Sequence, residues 1–147
     1  MAAKLKIRDA SGWTIFIFGA LAFLLGILGL IRLEVLLSLL GFIVLERGVR
    51  VAGDYTLVFM LASSMASFNM GVYYILAAFS DFKSFYKWTV PFRCVTFVVF
   101  TTAVLIDLAP NRFLGVGVWE LTGAFATWLA LRSEIKKVKG SYALKLD

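Results

Sequence analysis

The sequence predicts an all-α membrane protein, an antiparallel bundle of four transmembrane helices with an extra interfacial or re-entrant helix between spans 1 and 2. Two observations lead to this prediction. The chain has 147 residues, of which 61% are hydrophobic, and its mean hydropathy is +0.90. Its basic residues are concentrated in short segments around the apolar runs. Because a water-soluble domain of this length is nearer half apolar, we expect residues 1–147 to form a single integral membrane domain.

Four apolar segments are long enough to cross about 30 Å of hydrocarbon, which takes roughly twenty helical residues. They are residues 13–31, 55–79, 89–109 and 113–131. The first has a longer core than a signal peptide and no small-residue cleavage site after it, so we expect it to be retained. A fifth run, residues 35–45, is shorter and bordered by charges on both sides. We predict that it lies at the interface or re-enters the membrane.

The distribution of basic residues predicts the orientation. With four spans, one side of the membrane carries Lys4, Lys6, Arg8, Lys83, Lys87, Arg132, Lys136, Lys137, Lys139 and Lys145, and the other carries Arg32, Arg47, Arg50 and Arg112. The positive-inside rule therefore places both termini, including the basic tail 132–147, in the cytosol. The membrane would be the endoplasmic reticulum or another endomembrane in a eukaryote, and the inner or plasma membrane in a bacterium.

Several classes of chemistry are disfavoured by composition. The chain has no histidine and one cysteine, Cys94, which lies within an apolar run. A catalytic zinc or a haem with its usual ligands is therefore not expected, and neither is a disulfide framework. We predict no metal, no cofactor and no nucleic-acid partner; the expected partners are the bilayer, membrane enzymes or a second copy, and a lipophilic small molecule.

Two spans carry small or polar side chains at helical spacing. In span 1, small residues at this spacing form a groove that lets another helix approach closely: Gly19, Ala22, Gly26 and Gly29. In span 2, two adjacent stripes are small and polar: Ser63, Ser67, Gly71 and Tyr74, and Ala62, Ala66, Asn69 and Tyr73. Lipid offers an amide no partner, so we expect this face to point at protein or at a cavity. Asn69 either bonds a neighbouring helix or orients a bound polar group.

Three charged residues lie within the last two spans. Arg93 and Asp107 are separated by about 21 Å of helical rise and cannot pair directly. We expect Arg93 to extend its side chain to phosphate at the cytosolic border, and Asp107 to be hydrated at the other border. Glu120, which follows Trp119, is the deepest carboxylate. Its two interpretations are a functional group and a structural hydrogen bond to Asn69, Tyr73 or a serine.

Two resemblances concern whole families. The stretch "LERGVRVAGDY" shares Glu46, Arg47 and Arg50 with the membrane-associated eicosanoid and glutathione enzymes, but the later Asn and Glu of their signature are missing. We reject that family. The arrangement of "FNMGVYYILAAFSDFKSFYKWTVPFR" followed by "LAPNRFLGVGVWELTGAFATWLALR" resembles small, uncharacterised four-span membrane proteins of bacteria and fungi. In size and layout the chain is also similar to the sterol-pathway scaffold family typified by Erg28. Neither resemblance implies catalytic residues.

Three functions are compatible with these features. The first is a helper or scaffold for enzymes that handle a lipophilic molecule in a biosynthetic pathway. The second is a cofactor-free isomerase or cyclase acting on a lipophilic substrate. Its candidate catalytic residues are Glu120 and Asp107, and its candidate substrate-binding residues are Asn69, Tyr73, Tyr74, Arg93 and Trp119. The third is a proton-coupled transporter or channel subunit with Glu120 and Asp107 as relays.

Overall fold

The computed structural model describes residues 6–143, and these form helices joined by turns and by one longer loop, residues 40–55, with no β-strand in that range. The helices are α1 (Ala10–Ile31), α2 (Leu33–Leu39), α3 (Thr56–Phe79), α4 (Lys83–Leu105) and α5 (Leu114–Ala143). Four helices are long and apolar enough to cross a membrane: α1, α3, α4 and the stretch Asn111–Lys137, which includes most of α5. Lys4, Lys145 and the end of the predicted tail, residues 144–147, lie outside the described residues.

Helices α3 and α5 run antiparallel to α1 and α4, and all four meet at one end. The side chain of Lys83, at the start of α4, binds Asp9 before α1 and Glu134 near the end of α5. The Tyr86 hydroxyl donates to the carbonyl of Ala77 near the end of α3, at 3.1 Å. We call this the lysine end of the protein. Helix α1 packs against α3 and α5, and α4 packs mainly against α5.

The small-residue groove predicted for span 1 lies against α3. A β-carbon built on Gly19 would be 2.6 Å from the Tyr74 β-carbon, and one on Gly26 would be 2.5 Å from the Phe68 backbone nitrogen. The Ser67 hydroxyl donates to the Ala22 carbonyl at 2.9 Å across the same contact. Close approach of the two backbones therefore replaces the hydrophobic driving force that helices lack in lipid.

Helix α4 differs from the predicted span in its boundaries. The sequence predicts a span over residues 89–109 with Pro91 near its start, whereas the helix begins at Lys83 and contains Pro91 in its interior. The reason is that hydropathy detects the segment suited to hydrocarbon, and a helix can continue through the polar border on either side. Likewise, α5 extends well past the predicted end at residue 131.

The segment after span 1 is only partly helical. Helix α2 ends at Leu39, and residues 42–46 are not helical, so a helix over the whole predicted run 35–45 is wrong. Gly41 has a φ of +87°, and the N–H groups of Gly41 and Phe42 donate to the carbonyls of Ser38 and Leu37. This is a Schellman motif, in which a left-handed glycine ends a helix.

Candidate functional site

A buried ion pair joins α4 to α5 inside the protein. The Arg93 Nε donates to Glu120 Oε2 at 2.9 Å, and the Arg93 side chain is 3% exposed whereas that of Glu120 is 16% exposed. The prediction that Arg93 extends to the membrane border is therefore wrong, and so is the predicted structural partner of Glu120. Two opposite charges within hydrocarbon offset each other's desolvation, which is why each faces the interior.

The Phe18 ring and Gly123 lie against the Arg93 guanidinium. Its central carbon lies 3.6 Å from the centroid of the Phe18 ring on α1, a cation–π contact. The Phe18 ring is also 6.2 Å from the Trp119 ring, nearly parallel to it, and 5.0 Å from the Tyr74 ring. A methyl group at Gly123 would overlap the guanidinium. Arg93, on α4, thus contacts α5 through the Glu120 carboxylate and α1 through the Phe18 ring.

The guanidinium retains hydrogen-bonding capacity. Its Nη1 and Nη2 are buried and have no hydrogen-bond partner among the described residues. A buried donor without an acceptor costs free energy. These two nitrogens can therefore donate hydrogen bonds to an oxygen atom of water or of a bound molecule. Neither Glu120 nor Arg93 lines the groove beside Asp107 or the groove between α4 and α5 that are described below.

The structure divides the predicted substrate-binding residues into two groups. Tyr74 is 3% exposed and contacts Phe18, so it belongs to the surroundings of the ion pair together with Trp119, which is 40% exposed. Asn69 is half-buried and Tyr73 is 57% exposed. The structure therefore brings Arg93, Glu120, Tyr74 and Trp119 together and leaves Asn69 and Tyr73 apart.

Asn69 and Tyr73 lie on the side of α3 that points away from α1. At about 100° per residue, the four residues of that stripe fall within about 60° of one another, opposite the face of α3 that packs on α1. We call them the outer face of α3: Ala62, Ala66, Asn69 and Tyr73. Neither polar side chain of this face forms a hydrogen bond with any residue in the range 6–143. The sequence predicted that this stripe faces protein or a cavity; within the described chain Ala62, Ala66 and Tyr73 are exposed and Asn69 is half-buried.

Asp107 lies at the opposite end of the molecule from the lysine end. Its φ is +57°, and its N–H and that of Leu108 donate to the carbonyls of Val104 and Ala103, so its backbone ends α4 in a second Schellman motif. Its side chain is exposed and lines an open groove of about 570 Å³ with Gly41. Glu120 instead lies beside Arg93, fourteen residues before Asp107, so the structure does not bring the two candidate catalytic residues together.

We expect Asp107→Gly to increase the free energy of unfolding by about 1 kcal/mol. Glycine adopts a positive φ without a steric cost, and the change removes a negative charge from a helix C-terminus. Asp107→Ala is the matched control, because it removes the same charge but retains a β-carbon in the left-handed region. Unfolding in detergent would compare the two variants; a loss of stability in the glycine variant would assign the carboxylate a stabilising contact.

A second polar cluster, at the lysine end, was not predicted from sequence. Lys83 Nζ lies 2.9 Å from Glu134 Oε2 and 3.3 Å from Asp81 Oδ1, and it also binds Asp9. The Ser11 N–H donates to Glu134 Oε1 at 2.9 Å, and Ser11 Oγ accepts from Lys83 at 2.8 Å. The one local signal was Asp9, whose carboxylate caps α1 by accepting from the Gly12 N–H.

The charge of Asp9 is maintained by this cluster. Burial raises the pKa of the Asp9 carboxyl, but hydrogen bonds from Lys83, from the Gly12 N–H and from Ser11 outweigh burial and hold that pKa below 3.8. A carboxyl whose pKa is lowered by folding stabilises the folded state above its unfolded pKa and loses that contribution as the pH falls through its folded pKa.

The melting temperature should therefore depend on Asp9 in a pH-specific manner. We expect wild type to exceed Asp9→Asn by a constant margin above about pH 5, and the margin to decrease as the pH falls below about 4. Thermal unfolding of both proteins from pH 3 to 7 measures it. Asp107→Asn is a suitable control, since it removes an exposed carboxylate at the end of α4 opposite Lys83. A margin independent of pH would show that the asparagine acts through packing and not through charge.

Comparison with known proteins assigns the chain to no family. No protein-family model, curated protein or solved structure matches the chain.

Proposed function

We propose that the chain is a membrane helper or scaffold, an antiparallel four-span bundle with α2 at the interface and both termini in the cytosol. It binds a partner membrane protein, of the class of biosynthetic enzymes that handle a lipophilic molecule. The observation that carries this proposal is the outer face of α3. Asn69 and Tyr73 have no hydrogen-bond partner in the described chain, and they flank small residues on a helix that packs mainly against α1.

The chemistry of that face fits another transmembrane helix. Ala62 and Ala66 are four residues apart and allow a second backbone to approach closely, which is the main source of helix association in lipid. An amide and a phenol in hydrocarbon gain from a polar partner, and a neighbouring helix supplies one through its carbonyls or side chains. A scaffold needs such a face and needs no catalytic group.

The buried ion pair supports the same function. Glu120 is paired with Arg93, and uptake of a proton by Glu120 would remove the negative charge that holds this contact. The contact joins α4 to α5 and, through Phe18, both of them to α1. These contacts hold three helices together and leave the outer face of α3 for a partner, as a scaffold requires.

We expect Asn69→Leu to weaken a partner complex without unfolding the chain. The substitution removes the unpaired amide from the outer face and leaves the α1 contact intact. Val95→Leu on α4 is the matched control, because Val95 is 57% exposed and belongs to a different helix face. The complex would be isolated in mild detergent and its stoichiometry measured by native mass spectrometry. Equal retention by both variants would exclude the outer face as the contact.

One observation favours the enzyme alternative. The two unpartnered nitrogens of Arg93 lie beside Glu120, so a substrate carbonyl could accept from Arg93 while Glu120 exchanges a proton. Under this alternative Glu120→Gln abolishes turnover of a lipophilic substrate and leaves assembly with a partner unchanged. Under the scaffold proposal, Asn69→Leu weakens the partner complex more than Glu120→Gln does. Any effect of Glu120→Gln on the complex is then explained by its loss of stability.

A further inference from the structure

A groove between α4 and α5 opens at the lysine end of the protein. It has a volume of about 440 Å³. Its walls are mostly apolar and include Val90, Leu131 and Ile135. Two cations also line it, Lys87 on α4 and Arg132 on α5. The groove thus combines an apolar channel between two spans with positive charge contributed from both sides.

Both cations are available to a ligand. Lys87 and Arg132 are exposed, and neither forms an ion pair with any residue of the described chain. The Arg132 guanidinium lies 5.2 Å from the centroid of the Trp128 ring, which also lines the groove. A cation held over an aromatic ring keeps its N–H groups directed toward an anion while its position is restrained.

The backbone of α4 contributes a hydrogen-bond acceptor, the Lys87 carbonyl, to the same groove. Pro91 lies inside the helix and has no N–H, so the Lys87 carbonyl lacks the hydrogen bond that residue 91 would otherwise donate. Lys87 and Pro91 both line the groove. A hydroxyl of a bound molecule can supply the missing donor.

The depth of the groove matches the headgroup level of a bilayer. Trp13, Trp88 and Trp128 are all more than a third exposed. Trp13 and Trp88 lie near the starts of α1 and α4 at the lysine end, and Trp128 lies six residues before Glu134 on α5. Exposed tryptophans gather where hydrocarbon meets headgroups. The lysine end is also the side to which the positive-inside rule assigns the cytosol, where anionic lipids are concentrated.

We propose that this groove binds one anionic phospholipid whose headgroup carries hydroxyl groups, such as phosphatidylglycerol or phosphatidylinositol. The phosphate pairs with Lys87 and Arg132, a headgroup hydroxyl donates to the Lys87 carbonyl, and an acyl chain lies along Val90 and Leu131. Basic grooves between spans on the cytoplasmic side are suited to such headgroups. The site is separate from the outer face of α3 and does not depend on the scaffold function.

The test uses the full chain in mild detergent, titrated with phosphatidylglycerol or phosphatidylcholine and examined by native mass spectrometry. We expect one phosphatidylglycerol to bind at high occupancy, and phosphatidylcholine to bind more weakly. Lys87→Gln and Arg132→Gln should each weaken phosphatidylglycerol binding about fivefold, and the double variant roughly 25-fold. The matched control, Lys136→Gln with Lys137→Gln, removes two exposed charges at the same end but outside the groove.

Two outcomes would overturn the proposal. Equal weakening by the double variant and its matched control would show that the lipid responds to total charge, and equal binding of the two lipids would show that no anion is recognised. Brominated phosphatidylglycerol gives a second readout, because bromine quenches tryptophan fluorescence at short range. Quenching should decrease in Trp128→Phe and not in Trp119→Phe; the reverse pattern would place the lipid elsewhere.

Discussion

Arg93→Met should lower the free energy of unfolding by about 3–5 kcal/mol, the largest effect that we expect from a single side chain. The Arg93 side chain is 3% exposed, and its Nε bonds Glu120. Without the guanidinium, the Glu120 carboxylate must lose its charge or remain unpaired inside the protein, and Phe18 loses its cation–π contact. Reversible unfolding in mixed micelles of increasing SDS fraction measures the change.

A double-mutant cycle separates the pair from the packing. We expect Glu120→Gln to be destabilising by itself, because it leaves the Arg93 charge buried, and the double variant Arg93→Met with Glu120→Gln to be more stable than Arg93→Met alone. A matched cycle on the Arg50–Asp54 pair should show a smaller coupling, because this pair lies outside the four candidate spans and on the headgroup and water side of the hydrocarbon. Additive effects at Arg93 and Glu120 would mean that the two side chains act independently.

Gly26→Ala should lower the free energy of unfolding by about 1–3 kcal/mol. A β-carbon at this position would lie 2.5 Å from the Phe68 backbone nitrogen, so the added methyl must push α1 away from α3. The displacement would also weaken the neighbouring contacts of Gly19 and Gly29, which lie in the same groove. The same SDS titration measures the effect.

Gly115→Ala provides the control for helix propensity. Gly115 is in α5, and no atom lies within 4 Å of the place where its β-carbon would be. Alanine favours a helix over glycine by up to about 1 kcal/mol, so this variant should be neutral or more stable. If both alanine variants stabilised the protein equally, the close approach of α1 and α3 would not be a source of stability.

The helices and their principal packing face could be predicted from sequence because both depend on local patterns. Hydropathy located the four long helices, and the spacing of Gly19, Gly26 and Gly29 identified the face of α1 that meets α3. The same reasoning missed the start of α4 at Lys83, because a helix continues beyond the apolar segment. This error placed Arg93 close to a membrane border, although it lies about 15 Å into the helix.

The candidate site could be predicted only in part, because ion pairs between helices leave no local signal. Arg93 and Glu120 were each recognised as costly in hydrocarbon, but their pairing depends on the relative height and rotation of α4 and α5. If both residues had been assigned to inward faces, the rule that buried charges pair would have predicted this ion pair. The Lys83 cluster has the same origin, since two of its three carboxylates, Asp9 and Glu134, come from distant positions in the chain.

Photo-cross-linking in the membrane tests most directly whether the outer face of α3 binds a partner. A photoreactive amino acid would replace Ala66, near the middle of that face, or Val95, an exposed position near the middle of α4. We expect a discrete cross-linked protein band from position 66, lost when Asn69→Leu is added, and only lipid adducts from position 95. Lipid adducts alone from both positions would contradict the scaffold function.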